Sequence, residues 1–571
     1  MSATAERLFS EFPPVSTAEW EAAIQKDLKG ADYAKKLLWQ TEEGITVKPY
    51  YRSEDIAGLQ RPPCKATADW AICEEIGETD PKAANAAARA ALAKGADQIS
   101  FSVGPGADLS ALTEGLHGVP LHFRAGDHGL AVLQAIAELV KTRPLRGTLD
   151  LCPVPCAQEA APLGKAVVAA SPGFHPFAAR CDRFAEAGAT TVQELGFGLA
   201  QAVEILSLLT DAGWSVEQAL RSLFLSFSTG PNYFFEIAKL RAARMCWSQI
   251  TQSYGIADDS AVRPLIHCRT ALWDKTIYDP YVNLLRAATE AMSAALGGAD
   301  SVAVGPFDET FRPADDFSRR LARNTQIILK KEAMLDKVID PAGGSYYVEW
   351  LTGALAREAW KLLQRVESEG GFLKAEAWVW RQVEQSRQSR EAAVASRRRT
   401  IVGTNQYPNL EEKMLAEIKT PAAGWRAAAL FEQIRLRTER HAAAGGKTPK
   451  FLLAEMGDLK MRKARSGFSA NFFGCAGFEV LARYFETPEQ AAAEAKTCGA
   501  DAVVLCSSDP EYPALAPPLC RLLGSTPVIV AGYPKDAVEQ LEAAGVAGFI
   551  HIRSNAAETL AAWQQKLGVK G

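Results

Sequence analysis

One pattern dominates residues 45–400: short apolar runs alternate with longer helical segments along the whole stretch. The runs with the length and composition of buried strands lie at 69–76, 97–104, 120–126, 147–154, 165–173, 222–230, 263–270 and 301–308. Strands that are apolar on both faces and separated by helices are typical of a parallel sheet covered by helices. These eight units in succession predict a (β/α)8 TIM barrel with its functional groups at the carboxyl ends of the strands.

A second alternating stretch occupies residues 449–571. Its strand candidates, each followed by a helical pattern, lie at 450–457, 478–485, 501–508, 526–532 and 548–553. Five units of this length predict a flavodoxin-like, doubly wound α/β domain. Because 571 residues are too many for one core, we expect a barrel at 45–400, a linker helix at 401–448 and this domain at 449–571.

The segment before the barrel, residues 1–44, has the pattern of an amphipathic helical arm. Trp20, Ala23 and Ile24 recur at helical spacing, and Thr17 is the expected capping residue. Such an arm packs either on its own domain or on a partner chain, and the sequence leaves both arrangements open.

Composition and charge exclude several classes of protein. The net charge of −4 creates no general attraction for nucleic acid or for an anionic membrane surface. The first residues lack the basic and apolar segments of a secretory signal, and no apolar run approaches the roughly 20 residues of a membrane span. We therefore expect a cytoplasmic protein without a nucleic-acid or membrane partner. The charged stretch 376–400 allows a nucleic-acid patch, but glutamates at helical spacing favour a solvated helix face.

The eleven cysteines are scattered along the chain and form no paired metal-ligand pattern. Cys73, Cys152, Cys268 and Cys506 lie in apolar, strand-like runs, where a cysteine acts as a small buried hydrophobe. We expect free thiols and no metal site.

Longer motifs narrow the interpretation. They are "TEEGITVKPYY" (41–51), "NYFFEIAKLRAARMCW" (232–247), "DPYVNLLRAATEAMSAALGGADSV" (279–302), "SRRLARNTQIILKKEA" (318–333) and "VIDPAGGSYYVEWLT" (338–352). These segments, together with the order of the two α/β domains, resemble the methylmalonyl-CoA mutase family over nearly the whole chain. The resemblance implies a barrel built for a coenzyme A ester, with adenosylcobalamin held between the barrel and the flavodoxin-like domain. The cofactor would supply the radical chemistry of a 1,2-rearrangement.

The resemblance also locates the expected cobalt site, on the loop after the first strand of the second domain. Family members that ligate cobalt carry a histidine there in a D-x-H-x-x-G motif. Here Met461 stands near the histidine position, and Asp458 alone matches the motif. The family's contacts after the third and fourth strands are also altered, at Ser508 and Gly532. We therefore expect these four residues to be degenerate cobalamin-motif positions, with no cobalamin and no metal bound by this chain.

The barrel's substrate site departs from the family in the same way. His267 stands where the family's histidine polarises the thioester carbonyl. A serine and a glycine that follow in the family are replaced by Ala271 and Leu272, and the family's His-Thr-Asn after the eighth strand becomes 303–305. We expect His267 to be a vestigial substrate-site position and assign no catalytic residue.

The family includes heterodimers in which a large subunit carries substrate and cobalamin, while a small subunit keeps the fold without the site. This chain resembles the small subunit. The leading hypothesis is a non-catalytic small subunit whose partner is a large catalytic subunit that binds adenosylcobalamin. That complex would interconvert methylmalonyl-CoA and succinyl-CoA.

Two other functions stay open at this point. One is a stand-alone or related acyl-CoA mutase, of the isobutyryl-CoA type, with atypical cobalamin binding. The other is a barrel that binds a CoA ester as a sensor without turnover. If a partner exists, we expect it to contact the N-terminal arm, including Phe9 and Trp20, and the helix predicted at 232–247.

Overall fold

A computed structural model describes residues 11–152, 154–257, 262–420 and 424–570, so Phe9 lies outside the described residues. The described chain forms an N-terminal arm, a parallel barrel, a linker and a second parallel sheet. The arm contains α1 (Thr17–Asp27), α2 (Tyr33–Leu37) and an antiparallel hairpin of β1 (Trp39–Gln40) and β2 (Thr46–Val47).

The barrel is a ring of parallel strand segments, each joined to its neighbours by backbone hydrogen bonds. The segments are β3 (Ala71–Ile76), β4 (Gln98–Ser102), β5 (Pro120–Arg124), β6 (Arg146–Leu149), β7 (Phe174–His175), β8 (Phe177–Arg180), β9 (Leu223–Thr229), β10 (Leu265–Thr270) and β11 (Ser301–Ala303). Their spatial order is β7-β6-β5-β4-β3-β11-β10-β9-β8. The predicted TIM-barrel architecture is therefore confirmed, and so are seven of its eight predicted strands.

The prediction of a strand at 165–173 was wrong. Most of that run belongs to a helix, Ala157–Ala170, whose buried residues Ala160, Ala161, Gly164 and Val167 follow helical spacing. Alanine is the strongest helix former, and a short apolar run does not by itself distinguish a buried helix from a strand.

The true fifth strand lies just beyond the predicted one and is interrupted at Pro176, which has no N–H to donate to a ladder. Its first piece, β7, pairs with β6, and its second piece, β8, pairs with β9. The Ala178 N–H donates to the Leu151 carbonyl at 2.8 Å, so the chain bridges the remaining gap in the ring.

Helices cover the outside of the barrel. They are α3 (Pro81–Ala93), α4 (Leu109–Leu112), α5 (Gly129–Leu139), α6 (Ala157–Ala170), α7 (Cys181–Glu186), α8 (Thr191–Asp211), α9 (Val216–Ser222), α10 (Tyr233–Ser253), α11 (Val282–Leu296), α12 (Asp316–Lys331), α13 (Tyr346–Ser368) and α14 (Phe372–Ala395). By length and composition α8 would be able to cross a membrane, but 72% of its most apolar window is buried inside the protein. This is the pattern of a core helix. The cytoplasmic location stays a prediction.

The arm helix α1 is amphipathic in sequence, yet it buries none of its own residues against the described chain. Its cap is Ser16 rather than the predicted Thr17: Ser16 Oγ accepts from the Glu19 N–H, and the Glu19 carboxylate accepts from the Ser16 N–H at 2.8 Å. Glu19 sits at the third helical position, so the reciprocal pair forms a capping box one residue earlier than expected.

The second domain has the predicted flavodoxin-like order. Its strands are β12 (Lys450–Glu455), β13 (Glu479–Tyr484), β14 (Ala502–Cys506), β15 (Val528–Ala531) and β16 (Val546–Ile550), in the parallel order β13-β12-β14-β15-β16. The helices between and after them are α16 (Leu459–Gly474), α17 (Pro488–Cys498), α18 (Tyr512–Leu523), α19 (Val538–Ala543) and α20 (Ala556–Lys566), after a linker helix, α15 (Ala429–Ala443). The order reverses between β12 and β14, which is where ligands bind in doubly wound domains.

Helix α15 joins the two domains through buried polar groups. On the barrel side, Glu432 accepts from the Ile277 N–H at 2.7 Å and from the Arg426 guanidinium at 2.6 Å. On the other side, Thr438 Oγ1 donates to the Ala476 carbonyl at 2.6 Å. Because these groups are out of water, each needs its partner, and the linker fixes the second domain against the barrel.

We predict that Glu432→Ala destabilises this junction by about 3–5 kcal/mol, because the buried Arg426 would keep its charge without a partner. Urea unfolding followed by near-UV circular dichroism measures the loss. Glu411→Ala, at an exposed position in the same linker, is the control. Equal stabilities of the two variants would contradict the role assigned to Glu432.

Candidate functional site

The carboxyl end of the barrel carries a charged residue on most of its strands or just beyond them. Glu75 lies on β3, Arg124 on β5, Arg180 on β8 and Arg269 on β10, while Asp150 follows β6. This is the end at which TIM barrels place their functional groups. In this protein these charged side chains form ion pairs with one another.

Arg269 is the centre of the larger cluster. Its guanidinium contacts Glu75 at 2.9 Å and Glu309 at 2.5 Å, and Arg124 binds the other oxygen of Glu75 at 2.7 Å. Burial alone would raise the pKa of Glu75, but the charges of Arg124 and Arg269 lower that pKa to about 2. The carboxylate is therefore ionised and fully engaged.

Arg180 forms a second cluster in the barrel mouth. It contacts Asp150 at 2.6 Å and Asp182, just beyond β8, at 2.8 Å. Burial opposes ionisation of Asp182, but the adjacent Arg180 outweighs it and the pKa of Asp182 is lowered. The two clusters leave the mouth lined by cations and carboxylates that are paired with each other.

His267 lies one layer deeper in the barrel. Its Nδ1 is 3.0 Å from Ser301 Oγ, and its ring stacks on His122 with a centroid separation of 4.5 Å. His122 Nδ1 is in turn 2.6 Å from Thr148 Oγ1. Burial lowers the pKa of His267 to about 4, against the opposing charges of Glu75 and Asp182. The imidazole is neutral at physiological pH and hydrogen-bonded below the ion pairs.

At the second sheet, the predicted motif positions lie around the reversal point between β12 and β14. Asp458 caps α16, and its Oδ1 accepts from the Met461 N–H at 2.8 Å. Glu511 accepts from Ser507 Oγ and Ser508 Oγ, both at 2.6 Å, and from the Asp458 N–H at 3.2 Å. Hydrogen bonds from Ser507 and Ser508 lower the pKa of Glu511 to about 2, so an internal carboxylate occupies the reversal point.

Gly532, after β15, is covered by an ion pair. A Cβ at this position would lie 2.9 Å from Arg465 Nη1 and 3.0 Å from Asp509 Oδ1, and Arg465 contacts Asp509 at 2.9 Å. The structure thus brings Asp458, Met461 and Ser508 together around Glu511, while Gly532 lies against the neighbouring ion pair.

These residues do not fit a cobalt-ligating site. No histidine lies between His441 and His551 in the sequence, and His551 follows β16, three strands away from β12 in the sheet. In the loop itself, Arg462 donates to the Gly457 carbonyl at 2.6 Å and stacks over Tyr484 at 4.0 Å. Met461, Arg462 and Glu511 offer a thioether, a guanidinium and a carboxylate. None of these is the neutral imidazole that would ligate cobalt.

The sequence analysis missed Glu511 and the ion pairs of the barrel mouth. A signal for the mouth was present: Glu75, Arg124, Asp150, Arg180 and Arg269 each occur at the end of an apolar strand. Charges of both signs at that edge indicate mutual pairing rather than a site for one ligand. Nothing in the sequence around Glu511 indicates which groups it binds.

Comparisons with known proteins agree with the architecture. The family model described as methylmalonyl-CoA mutase matches residues 136–456. A methylmalonyl-CoA mutase small subunit from Porphyromonas gingivalis is 39% identical, with 100% of each chain aligned. One from Streptomyces virginiae is 32% identical over 92% of this chain and 93% of its own length. A methylmalonyl-CoA mutase from Rhizobium meliloti is 31% identical over 74% of this chain and 68% of its own length.

The environment of His267 predicts a pH dependence of stability. Native His267 stays neutral down to about pH 4, whereas an imidazole in the unfolded chain takes up a proton below about pH 6.5. The group therefore contributes nothing above that pH and destabilises the fold by up to about 3 kcal/mol as the pH falls towards 4. We expect His267→Asn to lose less stability than the unmodified protein between about pH 7.5 and pH 5 in urea unfolding. His117→Asn, at an exposed position, should behave as the unmodified protein does; identical pH profiles for both variants would contradict the assignment.

Proposed function

The chain belongs to the methylmalonyl-CoA mutase family, and we propose that it is the non-catalytic small subunit of a heterodimeric mutase. The observation that carries the proposal is the barrel mouth, where Arg269, Glu75 and Glu309 bind one another. A thioester carbonyl would need a free donor at that place, and the Arg269 guanidinium is already engaged by the chain's own carboxylates.

Mutases of this family are generally cobalamin-dependent. We propose that adenosylcobalamin is bound by the large subunit, which would be the partner of this chain and would interconvert methylmalonyl-CoA and succinyl-CoA. The poor fit of Met461, Asp458 and Glu511 to a cobalt site supports this division of labour. The relatives named small subunit support it as well, since two of them align with more than nine-tenths of the chain.

The proposed contribution of this chain is structural: it would cover an apolar face of the large subunit. The arm offers an apolar surface for this contact, because the side chains of Trp20 and Trp39 are each about half exposed, at 49% and 48%. Phe234 and Tyr346 extend it, with 48% and 44% of their surfaces exposed. We call these four residues the aromatic surface. Large exposed aromatic side chains of this kind mark protein interfaces.

The partner contact at 232–247 stays a prediction, and the structure limits the part of that stretch that a partner could reach. The stretch 232–247 lies mainly in α10, a barrel helix with most of its residues buried within the chain. Its first turn alone reaches the aromatic surface, where Phe234 packs edge-on against Tyr347 with a centroid separation of 5.5 Å. The partner contact is therefore assigned to the arm and to this first turn.

We expect no change in the absorption spectrum of adenosylcobalamin when the purified chain is added at high micromolar concentration. A large subunit that binds the cofactor is the positive control under the same conditions. Saturable binding by the isolated chain, or turnover of a CoA ester by it, would favour the stand-alone mutase of isobutyryl-CoA type. Binding of a CoA ester without turnover would favour the sensor.

Trp20→Glu should reduce co-purification with a co-expressed large subunit by at least about tenfold, because a buried interfacial tryptophan commonly contributes more than 2 kcal/mol. Ile552→Glu, at an 82% exposed position in the second domain, is the matched control and should co-purify normally. If both variants assemble equally well, the arm is not part of the interface.

A further inference from the structure

A cavity of about 400 Å³ lies between the N-terminal hairpin, the end of α14 and the loop after β9. It adjoins the carboxyl end of β9, where Ser228 lines it, but it shares no residue with the ion-pair clusters around Arg269 and Arg180. Trp39 of the aromatic surface also lines it. One wall contains Arg390, Arg398 and Arg399, the turn of the hairpin contributes Glu42, and Trp273 also lines the space. We define this set as the arginine wall.

Three guanidinium groups face one paired carboxylate in this wall. Glu42 uses both oxygens, since Arg390 Nε donates to one at 2.8 Å and Arg399 Nη1 donates to the other at 2.5 Å. Glu43 also lines the cavity but forms no ion pair with a described residue. Arg398 makes its one side-chain hydrogen bond within the described chain to Ser396 Oγ, at 3.1 Å.

Several terminal guanidinium nitrogens of the arginine wall therefore have no hydrogen-bond partner among the described residues. Arg390 is 7% exposed, yet neither of its terminal nitrogens bonds to a residue that the structure describes. The same holds for both terminal nitrogens of Arg398 and for one terminal nitrogen of Arg399. Arg390 is buried, and buried guanidinium groups normally complete their hydrogen bonds. Arg399 is half-buried and Arg398 is exposed, so their remaining donors are open to water or to a ligand in the cavity.

The positive charge of the wall is only partly offset. Arg390 and Arg399 both lie over the Trp273 ring, at 5.0 and 4.9 Å from its centroid, where the ring face attracts cations. Burial, followed by repulsion from Arg390, still lowers the pKa of Arg399 despite its contact with Glu42. A second anion beside Glu42 would relieve this repulsion.

The opposite wall contributes little negative charge. Its buried carboxyls, Glu194 and Glu236, are both bound to Lys239, at 2.6 and 2.5 Å. Burial raises the pKa of each carboxyl. The Asn232 side chain also lines this side and makes no hydrogen bond within the described residues, which leaves a neutral donor opposite the arginines.

We propose that this cavity is a binding site for a small oxyanion, a phosphate or a short dicarboxylate, held by Arg390, Arg398 and Arg399. Planar guanidinium groups match the geometry of both ligand types. The volume of about 400 Å³ leaves room for more than a single bound ion, so a small organic anion fits.

The test is titration of the full-length chain with inorganic phosphate and, separately, with succinate at low ionic strength. The change in tryptophan fluorescence, to which Trp39 and Trp273 in the cavity contribute, follows binding, and calorimetry measures the affinity. Arg398→Ala should weaken binding by about tenfold through loss of a charge-assisted contact. Arg381→Ala, at an exposed position within α14, is the matched control and should bind normally.

Glu42→Gln should act in the opposite direction and tighten binding, because it removes the competing carboxylate. If the Glu42→Gln substitution destabilises the hairpin, the comparison of Arg398→Ala with Arg381→Ala still tests whether the arginine wall binds the anion. Saturation by phosphate alone or by succinate alone assigns the ligand class. Absence of saturable binding by both anions, or equal weakening in both arginine variants, would overturn the proposal. Its failure would leave the subunit role untouched, since that role is tested by assembly and cobalamin binding.

Discussion

A charge that leaves water must be neutralised nearby, and this requirement organises much of the molecule. At the barrel mouth, Arg269 and Arg180 are held by carboxylates from other strands and loops. Between the domains, Glu432 holds Arg426 and a backbone N–H. The groups that stabilise the fold in this way are engaged with one another, so a substrate would have to compete with these carboxylates for the guanidinium groups.

The second domain keeps the strand order of a ligand-binding domain, although its loop residues do not fit a cobalt site. Its strand order and its reversal point are those of a ligand-binding domain, and the position that a ligand would take is occupied by Glu511 and its serine partners. The carboxylate satisfies the backbone and hydroxyl donors that the loop would otherwise expose. Under the proposed subunit role the chain needs the shape of the domain, and the contacts of Glu511 hold this loop together without requiring a bound group.

The sequence predicted the architecture well, because buried strands and barrel helices differ in hydrophobic period. It failed at 165–173, where alanines and valines suit either structure, and the strand lay at 174–180 beside Pro176. The resemblance to the family singled out His267, Asp458, Met461, Ser508 and Gly532, and their standing as degenerate site positions stays a prediction. The sequence did not reveal Glu511 as a hub or the partners of Arg269, since these contacts join residues that are far apart in sequence and depend on how the loops meet.

The interrupted fifth strand has a mechanical consequence. Because β7 continues the ladder from β6 and β8 continues the ladder from β9, the ring behaves as a strip whose two ends meet at Pro176. Along the rest of the ring, two neighbouring strands separate only if a continuous ladder of hydrogen bonds breaks. At this seam the two ends of the sheet are joined by the Ala178–Leu151 hydrogen bond. Local opening takes the path that breaks the fewest hydrogen bonds, so the barrel opens locally at this seam rather than at β3, which lies in the middle of the strand order.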